Sequence, residues 1–467
     1  MNIYKKLLNN SLIFAVGSMG TKMVIFLLLP LYTHYLTPSE YGLVDLFSIT
    51  ITLIIPIITL GIINGTLRYV MDKNYDNEAV LINSLIVIAL GIIALILIYP
   101  LVQIIFSEND FIVYFFLLLI VQTISSLVTQ YVRAKGMIRL FALSGIFTAV
   151  FLLIGNLVFL MIFNLSIEGY FLAAIISYML TIAIVFFAGR ISNDINFRKI
   201  NSKLIKDMLF YSIPLIPNTL MWWVMGVSDR FMVTYFLGLS YAGFYAVAVK
   251  IPSILNVLNS IFFQAWQMSA IEEADSKGKS IFYTNVFNVF SIAMLIFTSV
   301  ILIFLKPIMG IMVAESFYES WKYVPFLLLG TVFSSFSAFL GTNYIAAKKT
   351  SGVFKTSVIG AVINIVINII LIPLIGINGA ALGTMFSFFI VWLLRIRDTK
   401  QFVDIKINKI KLSSTFLIIL IQILILYSNI NSEYVFQGLM LITIILLNLK
   451  EIKILIKKIT NLILLKK

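Results

Sequence analysis

The sequence holds no cysteine and a single histidine, His34. Without thiols it can build neither a disulfide framework nor a thiolate metal site. With one imidazole, histidine-rich metal centres and most imidazole catalysis fall away, and no His/Glu spacing on a helix suits a metal. His34 falls at an outer helix end, where it reads as an ordinary interfacial side chain. Charge is scarce too: Asp, Glu, Lys and Arg make up 12% of the 467 residues, against 61% hydrophobic. With a mean hydropathy of +1.05, too little polar surface remains to clothe a water-soluble core, so a membrane class is forced. No loop is long enough for a glycosyltransferase or protease domain. Gly278-Lys279-Ser280 has the end of a phosphate loop, but Glu273 stands where its first glycine belongs and no strand precedes it. Nothing in the chain asks for a cofactor or a metal.

What is abundant is apolar sequence in long runs. A helix needs roughly 20 apolar residues to cross the hydrocarbon core, and it satisfies its own backbone donors while doing so. The fold class expected is therefore all-α integral membrane, with about 14 transmembrane helices. The runs are 12–36, 43–63, 80–100, 111–131, 140–163, 169–188, 208–236, 240–263, 282–305, 324–346, 353–373, 376–394, 412–427 and 434–449. Lys5 and Lys6 ahead of the first run resemble the start of a signal peptide, yet no small-residue cleavage site follows, so it reads as a retained span.

The formal charge of +14 acquires meaning from where its cations lie. Short cytoplasmic loops retain Lys and Arg during insertion. With the N-terminus inside, most of the 34 basic residues fall on the cytoplasmic side. The exceptions are Lys306 and Lys322 in an outer loop, and Lys22, Arg230 and Lys250 within spans. An even span number with both termini cytoplasmic follows, in a bacterial inner membrane. The stretch 450–467 alternates Ile and Leu with lysines and reads as a solvated basic tail, or as a basic amphipathic helix on anionic lipid.

The longest break among the first twelve spans runs from Arg190 to Lys206 and divides them six and six. The halves echo each other. Residues 33–43 align without gaps to 234–244, pairing Thr33 with Thr234, Leu36 with Leu237, Ser39 with Ser240 and Gly42 with Gly243. Tyr131-Val-Arg-Ala-Lys135 pairs with Tyr344-Ile-Ala-Ala-Lys348 at the same place in each half. Two pseudo-symmetric six-helix lobes are expected, 1–190 and 208–400, joined by a cytoplasmic linker 191–207 and followed by two extra helices and a basic tail in 401–467.

Ionisable groups inside spans are the informative residues. A charge at mid-bilayer costs about 2.5–3.5 kcal/mol on insertion scales, so it normally faces a partner or a wet cavity. Lys22 and Lys250 are the deepest, with Arg230 beside Asp229. Cations outnumber carboxylates at depth, which points to an anionic ligand held by Lys22, Arg230 and Lys250. Asp45, Asn64, Arg68, Asn218 and Asp229 are the candidate polar and charge partners. Asp229 neutralising a neighbouring cation and Arg230 snorkelling to the interface stand as structural alternatives. Pro30, Pro56, Pro214, Pro217, Pro252 and Pro373 mark candidate bends, as hinges or as static kinks.

Leu29-Pro-Leu-Tyr-Thr-His-Tyr-Leu36 followed by Glu40-Tyr-Gly-Leu43, and Asp229-Arg-Phe231 followed by Gly243-Phe-Tyr245, carry a family resemblance over nearly the whole chain. It resembles the Wzx-type polysaccharide flippases of the multidrug/oligosaccharidyl-lipid/polysaccharide exporter superfamily. The resemblance implies movement of undecaprenyl-diphosphate-linked oligosaccharide units across the membrane for O-antigen or capsule assembly, without enzymatic chemistry. It implies alternating access between the lobes around a cationic cavity, with membrane lipids and other polysaccharide-assembly proteins as partners and no nucleic acid. Coupling to H+ or Na+ return is left open. The two terminal spans also occur in lipid II flippases, which keeps a peptidoglycan-precursor flippase in play. A multidrug or cation antiporter would want net carboxylate in its cavity.

Overall fold

The computed structural model describes residues 24, 26–72, 74–105, 110–272, 278–346, 351–428, 430–451 and 453. Among them there is no strand, as the apolar runs require. Among the described residues, eleven helices are long and apolar enough to cross a membrane, or twelve if one bent pair counts as a single span. The first expected span lies largely outside the described residues, and the last, Glu433–Leu447, is a shorter apolar helix of 15 residues.

The helices follow in order. In the first half they are α1 (Leu29–Tyr35), α2 (Pro38–Ile58), α3 (Ile62–Val70), α4 (Asn77–Ile105), α5 (Ile112–Ala134), α6 (Ile138–Asn156) and α7 (Ser166–Ala188). Next come α8 (Ser202–Ser212), α9 (Ile216–Val227), α10 (Asp229–Leu237), α11 (Leu239–Lys250), α12 (Pro252–Glu272), α13 (Lys279–Met312), α14 (Val324–Ala346), α15 (Ser351–Ile375), α16 (Ile377–Thr399), α17 (Lys409–Tyr427) and α18 (Glu433–Leu447). By contacts the chain divides into two compact units, one ending at Trp223 and the other beginning at Val224.

Proline chemistry explains where expected single spans are broken. Pro214 and Pro217 withhold two helical N–H donors and turn the start of the run predicted as 208–236 into α8, a 3-10 turn at Ile213–Leu215 and α9, which together form the candidate span Ser202–Val227; a turn at Ser228, with no proline beside it, then sets off α10. Pro252 does the same for the eighth span, which bends by 41° between Leu239–Lys250 and Pro252–Ser260. The hydroxyl of Ser253 donates to the Lys250 carbonyl at that bend. Pro56, Pro307 and Pro373 lie inside continuous helices. Pro307 therefore does not end the ninth span, and Lys306, expected in an outer loop, is a partly buried residue of α13.

In the first unit, α3, α4, α5, α7 and α8 meet around Ile62, Leu81, Leu127, Tyr131, Val185 and Met208. Gly61 and Gly65 let α3 approach α8 closely; a Cβ at Gly65 would collide with the Ser212 hydroxyl. Hydroxyl pairs fasten neighbouring helices, Thr66 with Ser84 at 2.7 Å and Thr148 with Thr181 at 3.0 Å. Thr37 and Glu40 form a capping box that starts α2, and Glu40 also accepts from Ser166 at the start of α7.

The expected linker is folded. Its two 3-10 turns, Ile191–Asp194 and Phe197–Lys199, are fastened to α4 and α5. Tyr131 and Lys135 donate to Asp194 at 2.9 and 2.5 Å. Lys199 bridges Asp76 and Glu78, Asn196 donates to Glu78, and the Asn83 amide bonds the Lys199 carbonyl and the Asn201 N–H.

In the second unit the tightest hairpin is α15–α16, where Gly379 and Gly383 bring α16 onto α15. Added Cβ atoms there would overlap the Leu371 carbonyl and the Asn368 amide. Arg395, 1% exposed, donates to the Thr356 and Ser357 hydroxyls and to the Ser337 carbonyl, tying α16 to α14 and α15. The terminal pair α17 and α18 exchanges side-chain to backbone bonds between Gln422 and Gln437. Glu433 joins it to α13 through Lys306, at 2.7 Å, and Lys306 also lies over the Trp321 ring.

Candidate functional site

The best-formed polar site in the second unit centres on Asp229. Ser228 separates α9 from α10, and Asp229 opens α10 as its first residue, 2% exposed. An acid in the first turn of a helix is favoured by the partial positive charge of the free N–H groups. The Tyr245 hydroxyl of α11 and the Thr384 hydroxyl of α16, the latter at 2.9 Å, both donate to Oδ2. Oδ1 is buried with no hydrogen-bond partner. Asp229 lines a cavity of about 190 Å³ together with Tyr245, Ser253, Asn256, Thr331 and Thr384, so its carboxyl group stands beside hydroxyls and an amide, groups that supply oxygen ligands. Next to it, the Ser228 hydroxyl is 3.4 Å from Asn364 Oδ1, which accepts from Asn368 at 3.1 Å. Such an arrangement of hard oxygen donors around one carboxylate can hold a proton or a small monovalent cation.

The other residues singled out by sequence distribute as follows. Arg230 is buried at 6% exposure and Asp45 at 9%, and both make interactions. Lys250 is partly buried at the bend between α11 and α12, and among the described residues it forms no ion pair. It flanks the Asp229 cavity, whose lining includes its neighbours Val249, Pro252 and Ser253. Asn64 and Asn218 are exposed, and Arg68 pairs with Asp72 at 3.5 Å, one helical turn on. Lys22 lies outside the described residues. The structure thus gathers Asp229, Arg230 and Lys250 in the second unit, while Asp45, Asn64, Arg68 and Asn218 belong to the first.

Sequence reasoning missed Tyr245 and Thr384, the two donors to Asp229, because an unremarkable tyrosine and threonine in apolar runs carry no signal until the helices pack. Tyr245 nevertheless sat within the motif that carried the family resemblance. Arg395 was counted as a flanking cation, since a charge in the last turn of a span reads as interfacial; burial shows only in three dimensions.

The described residues thus combine eleven or twelve helices able to cross a membrane with a polar cavity inside the second unit. The chain's fold is similar to that of the lipid II flippase MurJ in an inward closed conformation, with a TM-score of 0.73 at 14% identity over 96% of this chain and all of that one. It is also similar to an inward-facing multidrug resistance transporter of the MATE family of the MOP superfamily, with a TM-score of 0.69 at 13% identity over 85% of this chain and 96% of that one. Residues 7–267 match the family of polysaccharide biosynthesis proteins, and the chain belongs to that family. A probable low-salt glycan biosynthesis flippase of Haloferax volcanii is 29% identical over 184 residues, 38% of each protein. An uncharacterized membrane protein of Methanocaldococcus jannaschii is 29% identical over 204 residues, 42% of this chain and 39% of that protein. The chain spans about two fifths of the length of these curated relatives.

Proposed function

We propose that the protein is a flippase that carries undecaprenyl-diphosphate-linked oligosaccharide repeat units from the cytoplasmic to the outer leaflet, for O-antigen or capsule assembly. One observation carries this reading: a member of the polysaccharide biosynthesis family whose described residues are mostly helices able to cross a bilayer. Confined to the membrane, such a protein acts on the glycan by moving it. The similarity to a probable glycan flippase in sequence and to a lipid II flippase in fold supports it.

The polar head of such a lipid cannot cross hydrocarbon unaided, whereas its polyprenyl tail can stay in lipid throughout. Lys22, Arg230 and Lys250 are assigned to the anionic head group, and Asp45, Asn64, Arg68 and Asn218 to its polar surroundings. No covalent bond changes. With the cell interior negative, outward passage of each net negative charge gains about 2.3 kcal/mol per 100 mV. Asp229 is assigned to a returning H+ or Na+, because it lines a cavity of oxygen donors. The protein resides in the bacterial cytoplasmic membrane with both termini inside.

The test is flipping of a labelled lipid-linked oligosaccharide by the full chain in vesicles. Lys22→Ala and Lys250→Ala each lower the rate at normal protein abundance; full transport by both removes these lysines from the mechanism. The peptidoglycan precursor lipid II is the second substrate to assay, since the likeness to its flippase extends over 96% of this chain. Flipping of neither lipid overturns the reading.

A further inference from the structure

The strap between α7 and α8 has two faces with opposite chemistry. Its inner face is fully committed: Asp194 to Tyr131 and Lys135, Lys199 to Asp76 and Glu78, Asn201 to Asn83. Its outer face carries Phe197, 70% exposed, and Ile200, 51% exposed, with Arg198, Lys203 and Lys206 exposed around them. None of these three cations forms an ion pair among the described residues, and the acids facing the strap from α4 and its preceding turn, Asp76 and Glu78, are taken up by Lys199. Asp207 on α8 is the remaining acid of the stretch.

The strap's depth is fixed by what holds it. Lys199 is bonded at the start of α4, Asp194 at the end of α5, and α8 begins three residues beyond Lys199. Candidate spans begin or end at each of these points, Asn77–Ile105, Ile112–Ala134, Ser166–Ala188 and Ser202–Val227. A strap at that level lies where hydrocarbon gives way to head groups. At the head-group level an aromatic and an aliphatic side chain flanked by cations match an anionic lipid surface.

We infer that the strap is a lipid-docking surface: Phe197 and Ile200 insert among the head groups and Arg198, Lys203 and Lys206 bind anionic lipid. The clamp to α4 and α5 holds the surface preformed, so little conformational freedom is lost on docking. This does not depend on what the protein transports.

Because the chain has no cysteine, Ile200→Cys places one environment-sensitive fluorophore on the strap without further changes, and Phe197→Cys is a second site should the first disturb folding. The full chain is reconstituted in phosphatidylcholine bilayers with and without phosphatidylglycerol, and the label is quenched by brominated lipid or by aqueous iodide. The expected result is quenching by brominated lipid, protection from iodide, and an increase of both with phosphatidylglycerol. Each of Arg198→Gln, Lys203→Gln and Lys206→Gln weakens the phosphatidylglycerol response by about fivefold. Iodide quenching as complete as for free fluorophore overturns the proposal. So does protection from iodide without quenching by lipid, which means that protein covers the surface, and so does a response indifferent to lipid charge.

Discussion

The two stretches that echo each other in sequence keep one contact and differ in another. At the end of the fourth span of the first half, Tyr131 donates to Asp194 beyond the sixth; at the end of the fourth span of the second half, Tyr344 donates to Asp398 in the last turn of the sixth at 2.5 Å. The helix break after the first span is kept as well, with Thr33 and Thr234 each bonding the carbonyl four residues back. The register that pairs Thr33 with Thr234 puts Leu28 opposite Asp229 and Val44 opposite Tyr245. Leu28 and Val44 are buried apolar core residues. The same register position thus holds an apolar side chain in one stretch and a carboxylate with its hydroxyl donor in the other. Elements shared by both stretches serve the scaffold; the ionisable pair in only one of them has a cost in desolvation that packing alone does not require.

Asp229→Leu converts the second stretch to the chemistry of the first and breaks the contrast outright. Transport of lipid-linked oligosaccharide in vesicles then falls by about 5–150-fold, the range of a coupling free energy between two sites. Thermal stability falls as well, because the buried Tyr245 and Thr384 hydroxyls lose their shared acceptor, so transport is compared at matched amounts of folded protein. Undiminished transport would show that the carboxylate is a structural relic.

Arg395→Ala removes the buried cation that ties three helices of the second unit. A loss of about 3 kcal/mol is expected in reversible unfolding, because several charge-assisted bonds go and the Ser337 carbonyl is left bare.

The fifth and sixth helices of each half form a close hairpin, but not equally close. A Cβ on Gly155 of α6 would meet the Ala173 methyl at 3.0 Å, whereas one on Gly379 would overlap the α15 backbone. Gly379→Ala costs about 1–3 kcal/mol, and Gly155→Ala less. Equal costs would mean that the second hairpin relaxes freely.

Tyr344→Phe and Tyr131→Phe each remove one hydrogen bond, worth about 0.5–1.5 kcal/mol. Tyr131→Phe is the milder, because Lys135 still holds Asp194.

The smallest effect is the pH dependence of the strap clamp. The Lys199 ammonium, through its hydrogen bond and charge, holds the Asp76 carboxyl below the usual carboxylate range, and Asp76 in turn raises Lys199. The Asp76 contribution is complete above the ordinary carboxylate pKa and is lost as pH falls through the lowered one. The Lys199 contribution is complete below the ordinary lysine pKa and is lost as pH rises through the raised one. Mobility of a spin label at residue 200 is therefore flat across neutral pH and increases only in acid or strong alkali.

The all-helical membrane class was legible because hydropathy is a one-dimensional property of a chain. The paired Tyr131 and Tyr344 sequences make like contacts, with Asp194 and Asp398. Facing is not one-dimensional. Asn64 and Asn218 are exposed and Arg68 pairs with Asp72 just beyond its helix, exposures and pairings that hydropathy does not encode. Arg395 read as a flank and is buried. Thr384 bonds a residue more than a hundred positions earlier, a distance over which no local pattern carries information.

Helix α13, Lys279–Met312, has 34 residues and extends about 51 Å, well beyond a hydrocarbon thickness of about 30 Å. Its two lysines, Lys279 and Lys306, are separated by about 40 Å of that rod, close to the full distance between opposing phosphate layers. The helix is thus a gauge of bilayer thickness. In a thinner sheet of lipid it must lean, and because Lys306 is bonded to Glu433, the terminal helix α18 is drawn along with it.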